Sequence, residues 1–414
     1  MLTTLGKIWL TRSTKPFKFT NEYDSFLPYL DLDSLGLYIH IPFCKKLCNF
    51  CPYCKTVYNK EKCDKYIDYL IREIELVGKQ YPTKKDVTTL YFGGGSPALA
   101  LDRLSDIINA ISKYFSIRDG IGIELHPSDV NVDCLQGLKS IGITKISIGI
   151  QSFQNKFQNI LDRQIVDISS ISTVLSKVNF ETVSMDFIFA LPGQNYSDLK
   201  NDIDLAFEIG ANHVALYPFI DFDFTKSSVK SMSKREKRNL YYSIDSYLTE
   251  KGYSKNSIWT FSKDNSSYSS MTRENYIGFG CSATTLLKEQ FKINTFSINE
   301  YINRIENNLL PTSLTTRFTL RQRMLYYLFW TAYSTKFSEK DFEKFFSCSL
   351  KKYFGFELKL SKILGFIKED SGNYTLTPKG AFYFHHYENF YTLSYIDKMW
   401  GIMREEAFPE KIEL

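Results

Sequence analysis

The chain has 414 residues, of which 43% are hydrophobic and 16% aromatic, and it carries a net charge of +5. This modest charge is spread along the chain, so it does not favour nucleic acid as the main partner. No apolar run approaches the roughly 18 residues that span a membrane, and the N-terminal residues lack the long apolar stretch of a secretory signal. We therefore expect a cytoplasmic protein of two or three domains with reduced thiols.

Residues 1–35 show no clear periodicity and are predicted to form an N-terminal extension. Between residues 36 and 220, short apolar runs alternate with amphipathic stretches, which is typical of a parallel sheet with helices outside it. The predicted strands are LYIHIPF, TTLYFGGG, IGIEL, KISIGIQ, VSMDFIFALP and HVALYPF, and the predicted helices include KCDKYIDYLIREIELVGKQ, LDRLSDIINAISKYF and YSDLKNDIDLAFEIG. Six such strands suit a partial (β/α)6 TIM-like barrel, with function at the carboxyl ends of its strands.

The remaining residues predict two further units. Residues 221–310 are less regular, and within them YIGFGCSA (276–283) predicts a glycine-bearing loop. Residues 311–414 show three helical patterns and then a hairpin with its turn at Ser371-Gly372, which predicts a winged-helix-like α+β domain. No basic recognition face stands out, so we expect a lid or scaffold rather than DNA binding. The predicted fold class is α/β, a partial barrel with a C-terminal winged-helix-like domain.

Three cysteines directly follow the first predicted strand, in the run HIPFCKKLCNFCPYC: Cys44, Cys48 and Cys51. Three thiolates at this C-x3-C-x2-C spacing can hold three irons of a four-iron cluster and leave the fourth iron open to a small molecule. Structural zinc sites usually pair two ligand clusters separated by a longer loop. The spacing therefore predicts an iron–sulfur centre that performs chemistry.

Polar and glycine residues mark the ends of the next strands. The run Gly93-Gly94-Gly95-Ser96-Pro97 follows the second strand, Glu124 lies in the third, Gln151 ends the fourth and Asp186 lies in the fifth. Because function gathers at the carboxyl ends of parallel barrel strands, we expect these groups to converge on one rim. Glycines there would let the backbone approach a ligand closely.

The run YIHIPFCKKLCNFC, followed by FGGGSP, SIGIQSF and DFIFALPGQ, resembles the radical S-adenosylmethionine (SAM) enzymes. Over residues 36–220 it is similar to the branch that contains oxygen-independent coproporphyrinogen III oxidase, the haem chaperone HemW, the anaerobic haem-degrading methyltransferases and the class C radical SAM methyltransferases. The resemblance implies that Cys44, Cys48 and Cys51 ligate a [4Fe-4S] cluster and that SAM binds its open iron. Reduction would then cleave SAM to methionine and a 5′-deoxyadenosyl radical.

Positions that match the family's SAM sites suggest further roles. Tyr38, Phe50, Gly94 and Glu124 would contact the SAM on the cluster. A second set matches positions that hold a second SAM in the oxidase: Gly95, Ser96, Gln151, Arg163 and Asp186. Thr284, just after the glycine loop, is another candidate SAM contact. The candidate catalytic residues are Tyr38, Cys54 and Cys281.

The chain departs from the family pattern at two places. The oxidase has its fourth cysteine one residue after the third, whereas two residues intervene here, in CPYC. Cys54 is either a spare thiol near the cluster or a ligand of the fourth iron, and the matching SAM pocket favours the first. The HNxxYW segment of the chaperones corresponds here to NSSYSSMTRENYIGFG, which has no histidine. This counts against haem transfer through that motif.

The resemblance implies an enzyme that oxidises a tetrapyrrole or similar conjugated small molecule by decarboxylation. A class C methyltransferase that uses a second SAM and a haem chaperone of HemW type are the alternatives. The expected partners are the small-molecule substrate and an electron donor such as flavodoxin or ferredoxin. We expect a monomer that binds no nucleic acid and has no transmembrane segment.

Overall fold

The computed structural model describes residues 17–264, 268 and 274–414, and only the backbone of residues 386–391. Its strands are β1 (Lys18–Thr20), β2 (Gly36–Ile41), β3 (Phe43–Cys44), β4 (Thr56–Val57), β5 (Lys85–Val87), β6 (Leu90–Gly94), β7 (Phe115–Ile117), β8 (Ile121–Leu125), β9 (Ile143–Gln151), β10 (Thr182–Phe189), β11 (His213–Pro218), β12 (Ser254–Lys255), β13 (Thr260–Ser262), β14 (Tyr276–Phe279), β15 (Thr284–Leu287), β16 (Gln290–Asn294), β17 (Thr312–Arg317), β18 (Lys336–Ser338), β19 (Ile367–Asp370), β20 (Asn373–Leu376) and β21 (Lys411–Glu413).

The α-helices are α1 (Lys60–Gly78), α2 (Leu101–Tyr114), α3 (Val132–Ser140), α4 (Asn155–Ile160), α5 (Ile168–Leu175), α6 (Tyr196–Glu208), α7 (Lys234–Glu250), α8 (Ile298–Glu306), α9 (Leu320–Tyr333), α10 (Glu339–Phe346), α11 (Leu350–Ile363), α12 (Pro378–Tyr391) and α13 (Asp397–Glu405). Polar N-caps explain where several of them begin. Asn59 accepts a hydrogen bond at the start of α1, and Asn195 with Asp198 forms a capping box at the start of α6.

Six parallel strands form the partial barrel that the sequence predicts. They neighbour one another in the order β2, β6, β8, β9, β10, β11, and every neighbouring pair is parallel. Each crossover carries helix between consecutive strands, which places the carboxyl ends of all six strands at one rim. Leu37, Ile39 and Ile41 of β2 are buried, as expected for a strand inside an α/β core. All six predicted strands and the α/β fold class are confirmed.

The segment 276–283 differs from the predicted loop. Residues Tyr276–Phe279 form β14, which pairs in parallel with β2 and so extends the barrel sheet by one strand. Only Gly280 to Ala283 turn the chain, and β15, β16 and β17 then continue the sheet antiparallel. Residues 221–310 are more regular than predicted. Strand β14 leaves no local signal, because Tyr276 pairs with Gly36 of β2, which lies far away in the chain.

Residues 320–376 have the element order of a winged helix. Helix α9 is followed by β18, α10, α11 and the hairpin β19–β20, and β18 pairs with β20. Positive φ angles at Ser371 (50°) and Gly372 (80°) make the hairpin turn that the sequence predicts. The predicted division of the chain into four units stays a prediction. Within the described residues, none of the helices has the length and hydropathy needed to cross a bilayer.

Candidate functional site

The three cysteines of the C-x3-C-x2-C motif lie on one closed loop at the carboxyl end of β2. Strand β3 pairs in parallel with β4, the backbone N–H of Thr56 donates to the carbonyl of Pro42 at 2.7 Å, and that of Tyr58 donates to the carbonyl of Cys44 at 2.9 Å. We call residues 44–57 the cluster loop. Its two ends are fixed by backbone bonds, so its three motif thiols are held close to the barrel rim.

Lys55 supports the cluster loop from within. Its ammonium donates to the carbonyl oxygens of Cys48 at 2.8 Å and of Cys51 at 2.5 Å. One cation therefore ties together the backbone of two motif cysteines. Sequence reasoning missed this residue, because a lysine four positions after Cys51 looks like any surface lysine until its carbonyl partners are known.

The three motif thiols lie near one another and near the guanidinium of Arg163. None of the three is in a disulfide, and all are partly buried. Burial raises the pKa of Cys44 to about 12, with further contributions from the Cys51 and Cys48 thiols. Burial also raises the pKa of Cys48, whereas the charge of Arg163 lowers it. Three neighbouring thiols beside a fixed cation are a suitable donor set for an iron–sulfur cluster, whose thiolates carry negative charge.

The glycine run presses directly against the cluster loop. A Cβ added at Gly95 would lie 2.5 Å from the carbonyl oxygen of Phe43 and 2.9 Å from the sulfur of Cys44. The backbone N–H of Ser96 donates to the same Phe43 carbonyl at 2.7 Å, and the Ser96 side chain is buried. Only glycine at position 95 allows the strand end to approach the first cluster cysteine this closely.

Gly94 presents its backbone to the barrel interior. It has a φ of +117°, and its N–H donates to a carboxylate oxygen of Glu124 at 3.2 Å. A Cβ at the neighbouring Gly93 would lie 2.9 Å from the ring of Tyr38. The glycines, Glu124 and Tyr38 therefore meet at the rim beside the cluster loop, as the sequence predicts.

Two carboxylates point into the barrel. Burial raises the pKa of Glu124 above its ordinary value. Burial also raises the pKa of Asp186 to about 7, although Ser147 donates a hydrogen bond to it at 2.8 Å and Ser184 another at 3.3 Å. The charge of Glu124 contributes to the shift at Asp186, so the two groups lie near each other in a shielded space. Carboxylates in such a setting can accept hydrogen bonds from a ribose or an amino group of a ligand.

Gln151 and Arg163 flank the carboxyl end of β9. Gln151 adopts a positive φ of 70°, and a Cβ at Gly149 would lie 2.9 Å from its amide nitrogen, so Gly149 leaves room for this side chain. Arg163 has a buried Nη2 atom with no hydrogen-bond partner in the described part of the chain. Because buried guanidinium groups are normally paired, this atom is suited to a ligand carboxylate.

Tyrosines line the space next to the two carboxylates. Tyr53 and Tyr217 keep 54% and 41% of their surface accessible, yet the surrounding protein raises the pKa of both phenols. The phenol of Tyr268 donates to that of Tyr91 at 3.0 Å. These four residues and Tyr38 form what we call the tyrosine chamber. Sequence reasoning found only Tyr38, because the others come from strand ends and loops that the fold alone brings together.

Helix α13 adds a cation and an aromatic ring at the opening of this space. The ring centroid of Trp400 lies 6.1 Å from that of Tyr53. The guanidinium of Arg404 lies 4.6 Å from the ring centroid of Phe224 and donates to the carbonyl of Pro52 in the cluster loop. Arg404 forms no ion pair with an acidic side chain of the described residues. The C-terminal helix therefore reaches the site that the N-terminal part of the chain builds.

The other predicted site residues occupy different surroundings. Phe50 packs in the apolar cluster of Phe157 and Ile188, which anchors the tip of the cluster loop. The hydroxyl of Thr284 lies 3.2 Å from that of Tyr276. This contact joins Thr284 to a residue outside the predicted site.

Cys54 and Cys281 lie together rather than with the three motif cysteines. Their sulfur atoms are 3.9 Å apart, and the two side chains are 7% and 0% exposed. The sulfur of Cys54 also contacts the carbonyl of Phe296 at 3.3 Å. This placement agrees with Cys54 being a separate thiol near the cluster, and burial denies a substrate direct contact with Cys281.

Comparison with known proteins agrees with this geometry. Residues 38–206 match the model of the Radical SAM superfamily. The chain is 24% identical over 387 residues to oxygen-independent coproporphyrinogen III oxidase of Synechocystis sp., covering 84% of this chain and 82% of that protein. It is 27% identical over 364 residues to heme chaperone HemW of Bacillus subtilis, covering 83% of this chain and 95% of that protein. The structure of coproporphyrinogen III oxidase (HemN) from Escherichia coli matches with a TM-score of 0.77 at 20% identity, covering 92% of this chain and 97% of that one.

The chain is thus similar both to an oxygen-independent coproporphyrinogen III oxidase and to HemW chaperones, at 24–28% identity. Its residues 38–206 carry the domain of the Radical SAM superfamily, and the thiol motif lies within that domain. The cofactors of this family are a [4Fe-4S] cluster and SAM, and the residues present fit them. The absence of a side chain at Gly95 keeps the strand end from clashing with the Cys44 sulfur, and the unpartnered Nη2 of Arg163 offers a positive charge near all three cysteines.

Proposed function

We propose that the chain is a radical SAM enzyme that oxidatively decarboxylates a tetrapyrrole or a similar conjugated small molecule. The observation that carries this proposal is the accessible tyrosine chamber beside the cluster loop. Its phenols at positions 53 and 217 surround a space that also contains Asp186, which suits a flat, conjugated ligand with polar edges.

A positively charged side chain near the chamber favours an anionic substrate. Arg404 lies at the opening, held by Phe224 and the Pro52 carbonyl and without an acidic partner among the described residues. A guanidinium in this position can bind a substrate carboxylate with two parallel hydrogen bonds. A substrate with several propionate groups, such as a coproporphyrinogen, meets both requirements.

The protein's own residues would bind and orient the reactants. Cys44, Cys48 and Cys51 would hold the cluster, and the backbone of Gly94 with Glu124, Tyr38 and Phe50 would hold SAM against it. When bound, the cluster and SAM would supply the electron and the radical chemistry that removes a hydrogen atom from the substrate. Loss of carbon dioxide and of one further electron to an external acceptor would leave a vinyl group. A substrate that fills the chamber would displace water from the radical site.

The second group of SAM positions and the catalytic residues remain part of the proposal. Gly95, Ser96, Gln151, Arg163 and Asp186 would hold a second SAM. Tyr38 is the catalytic candidate that reaches the chamber. Cys54 and Cys281 are buried. Any effect of these thiols on turnover would therefore be transmitted through His40, which contacts both the Cys54 carbonyl and the Tyr38 hydroxyl. The electron donor would be a flavodoxin or ferredoxin.

The test is an anaerobic incubation of the cluster-loaded protein, first reduced with one equivalent of dithionite, with SAM, coproporphyrinogen III and an oxidised ferredoxin as the one-electron acceptor, analysed by mass spectrometry. We expect 5′-deoxyadenosine, carbon dioxide and a product with a vinyl group in place of a propionate. Omission of substrate should lower 5′-deoxyadenosine formation. An Arg404→Gln protein should need more substrate for the same rate, because one carboxylate contact is lost.

A haem chaperone is the second candidate, and the extent of the match to HemW of Bacillus subtilis favours it. Stoichiometric haem binding without 5′-deoxyadenosine under any condition would establish the chaperone and exclude the enzyme. Methyl transfer is a third outcome. It would give S-adenosylhomocysteine and a product labelled from the methyl group of SAM, with no carbon dioxide.

A further inference from the structure

Two buried thiols face each other behind the cluster loop. The sulfur of Cys54 lies 3.9 Å from that of Cys281, although the residues are 227 positions apart. Cys54 ends the Cys51-Pro52-Tyr53-Cys54 run, and Cys281 lies in the turn after β14. The fold therefore joins the cluster loop to this turn through a pair of free thiols.

The surroundings of the pair favour chemistry between the two sulfurs over metal binding. His40 lies close enough to be a third ligand. However, its Nδ1 is 3.1 Å from the Tyr38 hydroxyl and its Nε2 is 2.9 Å from the Cys54 carbonyl, so both nitrogens are already engaged. Two thiols alone fall short of the four ligands of a structural zinc site.

The two thiols are chemically unequal. The hydrogen bond with Cys281 and the nearby His40 ring lower the pKa of Cys54, despite its burial. Burial and the same hydrogen bond raise the pKa of Cys281. Cys54 keeps 7% of its surface accessible, whereas Cys281 keeps none. Cys54 is therefore suited to react first and Cys281 to resolve the product.

We propose that Cys54 and Cys281 form a reversible disulfide when the protein meets a two-electron thiol oxidant. The Cys54 thiolate attacks the oxidant, and the Cys281 thiol then displaces the reduced oxidant from the Cys54 sulfur. One S–S bond forms, and the two thiols give up two electrons and two protons. Hydrogen peroxide would leave as two waters, and the azo compound diamide as a hydrazine.

Formation of this bond would change the cluster loop. The sulfurs must close from 3.9 Å to about 2.0 Å, which withdraws Cys54 from the Phe296 carbonyl. The next residue is Lys55, which holds the carbonyls of Cys48 and Cys51. Oxidation of the pair would thus act on the backbone that positions two motif cysteines.

The experiment treats the anaerobic, cluster-loaded protein with stoichiometric diamide, blocks the remaining thiols with N-ethylmaleimide under denaturing conditions, and maps the peptides by mass spectrometry. We expect a peptide linked between Cys54 and Cys281 as the main crosslink, and its disappearance on addition of dithiothreitol. A Cys281→Ser protein should lack the link. Cys63→Ser is the matched control, because Cys63 is buried and the groups that act on its thiol are side chains such as Asp64 and Lys60 rather than another thiol.

The outcome does not depend on any substrate or on turnover. Recovery of Cys54 and Cys281 in reduced form, or linked mainly to other cysteines, would overturn the proposal. So would one equivalent of zinc in the isolated protein that is lost in Cys281→Ser. The wild-type crosslink is itself the measurement, so poor folding of a variant cannot hide the result.

Discussion

Two regions of the molecule use buried polar groups in opposite ways. One is the cluster face, which is the cluster loop together with Arg163, and the other is the brace, which is Glu73 with its partners beneath the turn after β14. In the brace, the carboxylate of Glu73 accepts hydrogen bonds from the Gly280 backbone at 2.8 Å, the Tyr301 hydroxyl at 2.7 Å and the Asn294 amide at 3.2 Å. At the cluster face, Arg163 keeps a buried nitrogen without a partner among the described residues. A buried polar group whose partners all lie within the protein contributes to the fold, whereas one without a partner is free to bind a ligand.

This contrast distinguishes two kinds of buried polar residue that look alike in the sequence. Glu73 lies in the middle of the amphipathic helix α1, and Arg163 follows α4. Changes in the brace should cost folding stability. Changes at the cluster face should cost ligand binding and leave the fold intact.

The largest effect is expected at the motif cysteines. Replacing Cys44, Cys48 or Cys51 by Ala removes a thiolate ligand, so the visible absorbance and the iron content of the reconstituted protein should be lost. Cys54→Ala should retain most of both, because its sulfur faces Cys281. Circular dichroism should show an unchanged fold in all four proteins. Loss of the cluster in Cys54→Ala together with its retention in Cys44→Ala would reverse the assignment.

Glu73→Ala should destabilise the fold by about 3–5 kcal/mol, because it leaves three buried donors without their acceptor. The measurement is chemical denaturation of the cluster-free protein. The partly exposed Glu75, whose carboxylate pairs with Lys79 and Lys113 at the surface, is the control, and Glu75→Ala should change stability by less than about 1 kcal/mol. Equal stability of the two variants would contradict the structural role of the brace.

The Glu73 carboxyl of the brace should also make the free energy of unfolding depend on pH. Burial raises the pKa of Glu73 to about 7 in the folded protein, against an ordinary value of 4.5. The folded state therefore binds a proton that the unfolded state has released, and stability should fall as pH rises from 4.5 to 7. The loss relative to Glu73→Gln should be on the order of 2–3 kcal/mol. Parallel pH profiles of the wild type and Glu73→Gln would show that this carboxyl does not titrate as described.

At the cluster face, Arg163→Ala should weaken SAM binding roughly tenfold to a hundredfold, since a charge-assisted contact contributes about 1.5–3 kcal/mol. Isothermal titration with SAM measures this, and the iron content should stay at the wild-type level. Arg163→Lys keeps the charge without the bidentate geometry and should lie in between. Unchanged SAM affinity and turnover in Arg163→Ala would show that the position does not bind SAM in this chain.

The smallest effect is expected at Lys55. Lys55→Met removes the ammonium that holds the carbonyls of Cys48 and Cys51, so the cluster should be lost to a chelator about tenfold faster. The decay of cluster absorbance under anaerobic conditions gives the rate. Lys46→Met is the control, because Lys46 pairs with the exposed Asp162 instead. A rate equal to that of the control would exclude a supporting role for Lys55.

Much of the fold and the core of the site could be predicted from the sequence. Local apolar runs identify the strands of the barrel, and a spacing of a few residues identifies the motif cysteines. Gly95 and Glu124 were found because strand ends of a parallel barrel share one rim. The predicted loop at 276–279 was wrong, because a short apolar strand is recognised only when its neighbour, β2, is known.

The sequence by itself determined the six-stranded barrel, the three neighbouring thiols of the C-x3-C-x2-C motif and the glycines that approach them, since each depends on residues close together in the chain. Tertiary structure decided the rest. It brought Cys54 to Cys281, placed Glu73 beneath Gly280, gathered the tyrosines from separate strands and loops, and set Arg404 beside Pro52. Contacts across hundreds of residues depend on how strands pair and helices pack, and no local pattern of residues carries that information.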